Sequence, residues 1–224
     1  GAIDVVLRIE PADGGPRLAA TVALGRIGFS SPGGDAMGQN LEGRLDIAAI
    51  LRSRPLVTAD LAMTRGEALW RTVYVDFARE PLDVHARVVR AGPDAYDGFQ
   101  LDAGLAGFCR LGVEGEARRN GGRWRHKGKL ALSEVRLGPV FRTFLRDPLA
   151  ASHPDLAALE MDGTARMDIS FSGAEETADM TGRLVIRAGA AHRAGESPVL
   201  SGLDLDLPIA YSLGVPDPGS PRPS

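Results

Sequence analysis

The sequence predicts a mainly β protein: a curved antiparallel sheet, either an open groove or one layer of a sandwich, with one or two short helices around 139–159. Three observations predict it. Apolar residues alternate with polar ones at period two through most of the 224 residues. Clusters of Gly, Pro, Asn and Asp separate the alternating runs. Around 138–159, and briefly at 47–53, the apolar spacing changes from two to a helical repeat.

The elements follow in order. Ile3, Val5, Leu7 and Ile9 share one strand face, with Asp4, Arg8 and Glu10 on the other. After the turn-rich "PADGGP", Leu18, Ala20, Val22 and Leu24 repeat the pattern. "SSPGGD" at 30–35 marks the next turn, and "LEGRLDI" at 41–47 sets Leu41, Gly43, Leu45 and Ile47 opposite Glu42, Arg44 and Asp46. "IAAILRS" at 47–53 reads as a short helical turn carrying Ile47, Ile50 and Leu51 on one side. Further strands are expected at 56–63, 70–77, 82–90, 98–106, 108–119 and 123–137. In the second of these Val73, Val75 and Phe77 line one face. "AGPD" at 91–94 and Asn120-Gly121-Gly122 supply hairpin turns, because Asn and Gly tolerate positive φ.

"GPVFRTFLRDPLA" at 138–150 is the helix. Pro139 suits the first turn, Val140, Phe141, Phe144 and Leu145 form its apolar stripe, and Pro148 is expected to stop it. A second short turn is expected in "PDLAALE", with Leu156 and Leu159 on one side. The helical insert either caps the end of a curved sheet or covers a core between two sheets. Strands at 160–172, 178–188 and 199–210 complete the pattern. The expected organisation is a single β-rich domain over 1–214, followed by a Pro-rich linker or tail at 215–224.

Composition bounds the function. A net charge of −3 and a pI near 5.8 argue against a general nucleic-acid binder. One cysteine, Cys109, allows no internal disulfide. No run approaches the ~18 apolar residues of a membrane span. The opening "GAIDVVLRIE" lacks the pattern of a signal peptide, and the chain reads as an excerpt of a longer protein.

Catalytic and metal signatures are not found. His85, His126, His153 and His192 have no His or Cys at ligand spacing. "GFSSP" has Pro32 where a nucleophile elbow needs Gly. Ser152, His153 and Asp155 lie too close together in sequence for a triad and read as a loop. Asp204 and Asp206 share a strand face without the further oxygen ligands that calcium needs. Arg118, Arg119, Arg123, Arg125, Lys127 and Lys129 flank one hairpin; Arg123, Arg125, Lys127 and Lys129 read first as a solvated row opposite Trp124, His126 and Gly128, and the whole cluster second as a ribbon for anionic headgroups or phosphates. Cys109 reads as a small strand residue. No catalytic residue, metal ligand or cofactor is therefore expected, and the few scattered carboxylates leave an enzymatic reading last.

The apolar face is what remains. "LEGRLDI", "MDGTARMDI" at 161–169 and "MTGRLVI" at 180–186 each place a glycine (Gly43, Gly163, Gly182) in the inward row. A strand glycine there signals a bend, a bulge or a close neighbour. A bent sheet lined by Leu, Ile, Met and Ala suits acyl chains, which need apolar area and little directional bonding. The residues expected to line it are Leu41, Leu45, Ile47, Met161, Met167, Ile169, Phe171, Met180, Leu184 and Ile186.

The chain resembles the AsmA-like proteins of the bacterial cell envelope, the group that contains AsmA, TamB and YdbH. The resemblance is carried by "GKLALSEVRLGPV", "LEMDGTARMDISFSG", "MTGRLVIRAG" and "SGLDLDLPI", covering 110–210 and, more loosely, 41–63. It implies a bent β-groove without catalysis that shields phospholipid acyl chains in transport between membranes. It also implies a periplasmic location, with the full-length protein anchored in the inner membrane, and partners among envelope proteins or neighbouring segments of the same chain. The other reading from the residues is a closed β-sandwich serving as a structural or protein-binding module of an envelope assembly.

Overall fold

The computed structural model describes residues 1–12, 15–71, 73–92, 94–120, 122–150, 152–174, 177–193 and 198–213. The expected tail at 215–224 lies outside them, as do the middles of "PADGGP" and "AGPD" and Gly121 of the Asn-Gly-Gly turn. The chain forms one 12-stranded sheet. Its strands are β1 (Ala2–Ala12), β2 (Gly15–Ser30), β3 (Ala36–Ile50), β4 (Leu56–Trp70), β5 (Val73–Asp76) and β6 (Leu82–Gly92). They continue with β7 (Ala95–Leu105), β8 (Cys109–Asn120), β9 (Arg123–Arg136), β10 (Leu159–Ala174), β11 (Thr177–Arg193) and β12 (Pro198–Leu213). Every pairing is antiparallel and sequential, except that β5 folds back on β4 and leaves β4 to pair also with β6. The result is a meander that does not close into a barrel. No second sheet covers it among the described residues, so the sandwich that the sequence also allows is not formed.

Two expectations need correction. Residues 47–50 continue β3 rather than forming a helical turn. Ile47 and Ala49 keep the alternation of Leu45, and Ile47, Ala48, Ala49 and Ile50 pair with Ala59, Thr58, Val57 and Leu56. Ladder hydrogen bonds along the whole strand outweigh a three-residue helical spacing. Residues 70–77 likewise do not form one strand: β4 ends at Trp70, and Val73 returns opposite it. Val75 and Phe77 still point to one side, packing with Leu41 and Met63.

The helical insert is where the sequence places it. α1 (Leu137–Phe141) passes through a π-helical turn (Arg142–Arg146) into α2 (Asp147–Leu149), and α3 (Pro154–Ala157) follows. The helix ends at Leu149, one residue past Pro148, as the sequence leads one to expect. The insert lies at the end of the sheet where β9 finishes and β10 begins, with Phe144 edge-on to Phe108 at 6.4 Å between ring centroids. It caps the sheet instead of covering a core between two layers.

The buried residues gather at this same end. Leu41, Met63 and Phe77 form a cluster joined by Leu24, Ile27, Leu82 and Leu105. Phe108 (3% exposed), Phe141 and Val135 are buried nearby in sequence, around the insert. A line of bulges crosses the capped end. Arg26, Asn40, Glu134 and Ala188 adopt positive φ where the registers of β2–β3, β3–β4, β9–β10 and β10–β11 shift. Gly163 stands opposite the Ala188 bulge at φ +113°, and a Cβ there would lie 2.9 Å from the Ala188 carbonyl oxygen. Such bulges bend a strand and increase its twist.

Candidate functional site

Register decides which side chains share a face, because facing partners in a ladder point the same way. One row can be followed through eleven strands. Leu7 faces Ala20, then Ile47, Ala59, Ala86 and Leu101. Beyond Leu101 come Val113, Leu130, Ile169, Gly182 and Ile209. All are apolar. The next row towards the capped end runs from Val5 through Leu45, Val84, Leu111 and Met167 to Leu207, again without a polar residue. The row on the other side runs from Ile9 through Val88, Phe99, Phe171 and Met180 to Tyr211, whose hydroxyl is its sole polar group.

The opposite face is polar in the same registers. Asp46 faces Asp60, then His85 and Asp102. Its polar side chains pair locally: His85 Nδ1 lies 2.5 Å from Asp60, Arg183 lies 2.6 Å from Asp206, and Lys127 lies 3.2 Å from Glu116. Arg44 and the Thr21 hydroxyl both donate to Asp46 and hold its carboxyl down at about 2. Asp204 accepts the Ala188 N–H, so the two carboxylates of "LDLDLP" serve separate contacts. Ser152 Oγ donates to the Leu149 carbonyl, a turn contact. Among the described residues no group of three His, Cys, Asp or Glu gathers at metal-binding distance.

Eight of the ten expected lining residues lie on the apolar rows or directly beside them. Leu45, Met167 and Leu184 share one row, Ile47 and Ile169 the next, and Phe171 and Met180 the third. Ile186 follows, opposite Ala165 and Leu205. The other two belong to the capped end: Leu41 is packed core at 8% exposure, and Met161 lies half-buried beyond the Gly163 bulge, opposite Ala191. The middle of the surface comes from residues that the glycine phrases do not mark, such as Val84, Leu101, Leu111, Val113 and Leu130. Their alternation was the available signal. Cys109 lies opposite Leu105 on this side, and burial pushes its thiol pKa up, away from reactivity.

The face is large. Ten strand spacings of about 4.8 Å by two to three residue pairs along each strand give an area on the order of 900 Å². That exceeds the roughly 300–600 Å² of the largest apolar patch on an ordinary monomer. No layer covers it among the described residues, and exposure rises towards the edges, reaching 76% at Leu7 and Ile9 and 54% at Tyr211. Both edge strands, β1 and β12, carry the apolar rows to the limit of the sheet. Comparisons with family models, with curated proteins and with solved structures found no match.

Proposed function

We propose that this protein is a non-catalytic lipid-carrying domain whose uncovered sheet face shields acyl chains from water. The single observation that carries the reading is the run of apolar register rows across eleven strands, left without a second layer among the described residues. An exposed apolar surface of this size is unfavourable in water unless something occupies it, and it has few directional groups with which to select a polar ligand. Acyl chains match that chemistry. Along the strands the apolar rows span on the order of 15–20 Å, close to the roughly 15 Å hydrocarbon depth of one leaflet in a ~30 Å bilayer core. The resemblance to AsmA-like envelope proteins points the same way and adds phospholipid as the cargo and the periplasm as the location. Phospholipid or another acyl-chain ligand is thus the proposed partner, with envelope proteins or adjoining segments of a longer chain at the sheet edges.

The test is native mass spectrometry of the purified protein with lipid extraction, together with uptake of a fluorescent fatty acid. Copurified phospholipid and saturable uptake are expected. Ile169→Asp, in the middle of the apolar row, is expected to abolish uptake in a protein that remains folded. Clean wild-type protein that takes up no fatty acid overturns the proposal.

A further inference from the structure

The basic hairpin of β8 and β9 has no part in the apolar face, yet its geometry is unusual for a merely solvated row. Arg118 faces Arg125 directly across the ladder, on the polar side. Like charges placed opposite one another destabilise a sheet. The outer neighbours in that row are Ala95 and Ala174, so no carboxylate stands in register to relieve the pair. Further along, Lys129 faces Glu114 and Lys127 faces Glu116, which is the arrangement a solvated row adopts. The uncompensated pair is confined to the hairpin end.

A cleft of about 670 Å³ opens there, lined by Arg118, Arg119, Arg125, Lys127, Ser172 and Thr177 among others. That volume lies within the roughly 300–1,000 Å³ typical of small-molecule sites. Among its described residues the one carboxylate, Glu116, is already 3.2 Å from Lys127. Arg119 is anchored by donating to the Gly122 carbonyl, and one of its terminal nitrogens lies 3.7 Å from Asp94. On the other side of the same end, the apolar rows finish at Phe99 and Phe171, and beyond them Tyr96 stacks near Trp124 at 5.7 Å. Along the apolar side the surface passes from aliphatic to aromatic to the Arg119 guanidinium, which faces Trp124, while Arg118 and Arg125 stand on the polar side. A lipid passes from acyl chain to interface to phosphate in the same order, and Tyr and Trp favour the middle layer.

We propose that this cleft is a phosphate-binding site, in which Arg118 and Arg125 hold the anionic oxygens, Arg119 lines the cleft from the Trp124 side, and Ser172 and Thr177 supply hydroxyl donors. Guanidinium forks suit phosphate because they donate two parallel bonds to it. A lipid headgroup and a free phosphate offer the same chemistry. The assignment of a lipid as the source rests on the proposed function above, and the phosphate chemistry does not.

The experiment uses the full chain and the double variant R118Q/R125Q. Flotation with phosphatidylcholine vesicles, with and without phosphatidylglycerol, measures headgroup preference, and titration with inorganic phosphate measures the free anion. Uptake of an uncharged pyrene-labelled alkane reports on the apolar face alone. The wild type is expected to bind the anionic vesicles at least about tenfold more tightly than the neutral ones, and the double variant to lose that difference. Alkane uptake is expected to persist in the variant. Its urea midpoint is expected to rise slightly as the Arg–Arg opposition is removed, whereas a purely structural pair would lower it. Inorganic phosphate that binds the wild type and not the variant also supports the site, with the free anion as its ligand. Headgroup preference that survives in the variant overturns the proposal, as does a wild type that responds to neither vesicle charge nor phosphate. Phosphate binding without alkane uptake would leave the site standing and remove the lipid reading instead.

Discussion

The Phe171 ring lies over Gly128, its register partner across β9 and β10, so closely that a Cβ at 128 would sit 2.6 Å from the tip of the ring. Phe99 does the same to Gly115 from the other side, and the two glycines face each other. The apolar row is thus continuous there because two aromatic rings cover two bare stretches of backbone. Gly128→Val is expected to press on the Glu114 carbonyl of the neighbouring strand as well as on the Phe171 ring, and to destabilise the fold by about 1–3 kcal/mol or more. Urea denaturation measures this, and an unchanged midpoint would mean that both the ring and the β8 backbone give way to the added side chain.

Adjacent residues on β4 separate the two faces. Ala59 stands in the apolar row between Ile47 and Ala86, and Thr58 stands on the polar side between Ala48 and Arg87. Ala59→Asp is expected to reduce fatty-acid uptake at least about tenfold, since a carboxylate on an apolar surface resists desolvation. Thr58→Asp, one residue away and opposite Arg87, is expected to leave uptake unchanged. Equal loss in both variants would show that the face is not the binding surface.

Alternation made the faces legible in the sequence, because period two is the geometry of the strand itself. It placed Leu45, Ile47, Met167, Ile169, Phe171, Met180, Leu184 and Ile186 on the same side without any knowledge of pairing. It could not rank strands, so the glycine phrases drew attention to β3, β10 and β11 while β6–β9 carry the middle of the surface. The stretch 47–51 satisfies both periods, since Ile47, Ile50 and Leu51 fit a helical turn as well as a strand end. Only partner strands resolve such a tie. The bulges were half legible: Gly163 marks one side, but Ala188 and Glu134 adopt positive φ that nothing in a side chain announces. Arg118 and Arg125 read as members of one basic run until register set them face to face.

Acid titration gives a check on the polar face. Arg44 and the Thr21 hydroxyl both hydrogen-bond Asp46 and lower its pKa to about 2. A carboxylate depressed in the folded state stabilises the fold above its unfolded pKa of about 3.9, and that contribution fades as pH falls towards the folded value. An NMR titration is expected to place the Asp46 midpoint near 2. Arg44→Gln is expected to move it up towards the ordinary carboxylate range, because the Arg44 hydrogen bond is its largest cause. A midpoint unchanged in the variant would assign the shift to Thr21 instead.

The capped end should hold most of the stability of a sheet that no second layer covers among the described residues. Phe141 is buried at 7% exposure in α1, whereas Phe144, one turn later, is 45% exposed and touches Phe108 only edge-on. Truncating a buried Phe removes its transfer free energy and leaves a cavity, so Phe141→Ala is expected to destabilise by about 3–4 kcal/mol. Phe144→Ala loses an exposed ring and one aromatic contact, and is expected to stay within about 0.5–1.5 kcal/mol. Urea midpoints of both variants measure the contrast. Because Phe141 lies at the bulged end and the apolar rows run across the middle of the strands, fatty-acid uptake by folded Phe141→Ala protein is expected to match the wild type at low temperature. Comparable destabilisation by the two substitutions would mean that the insert is held by its whole apolar stripe, Val140 and Leu145 included, and not by the buried ring alone.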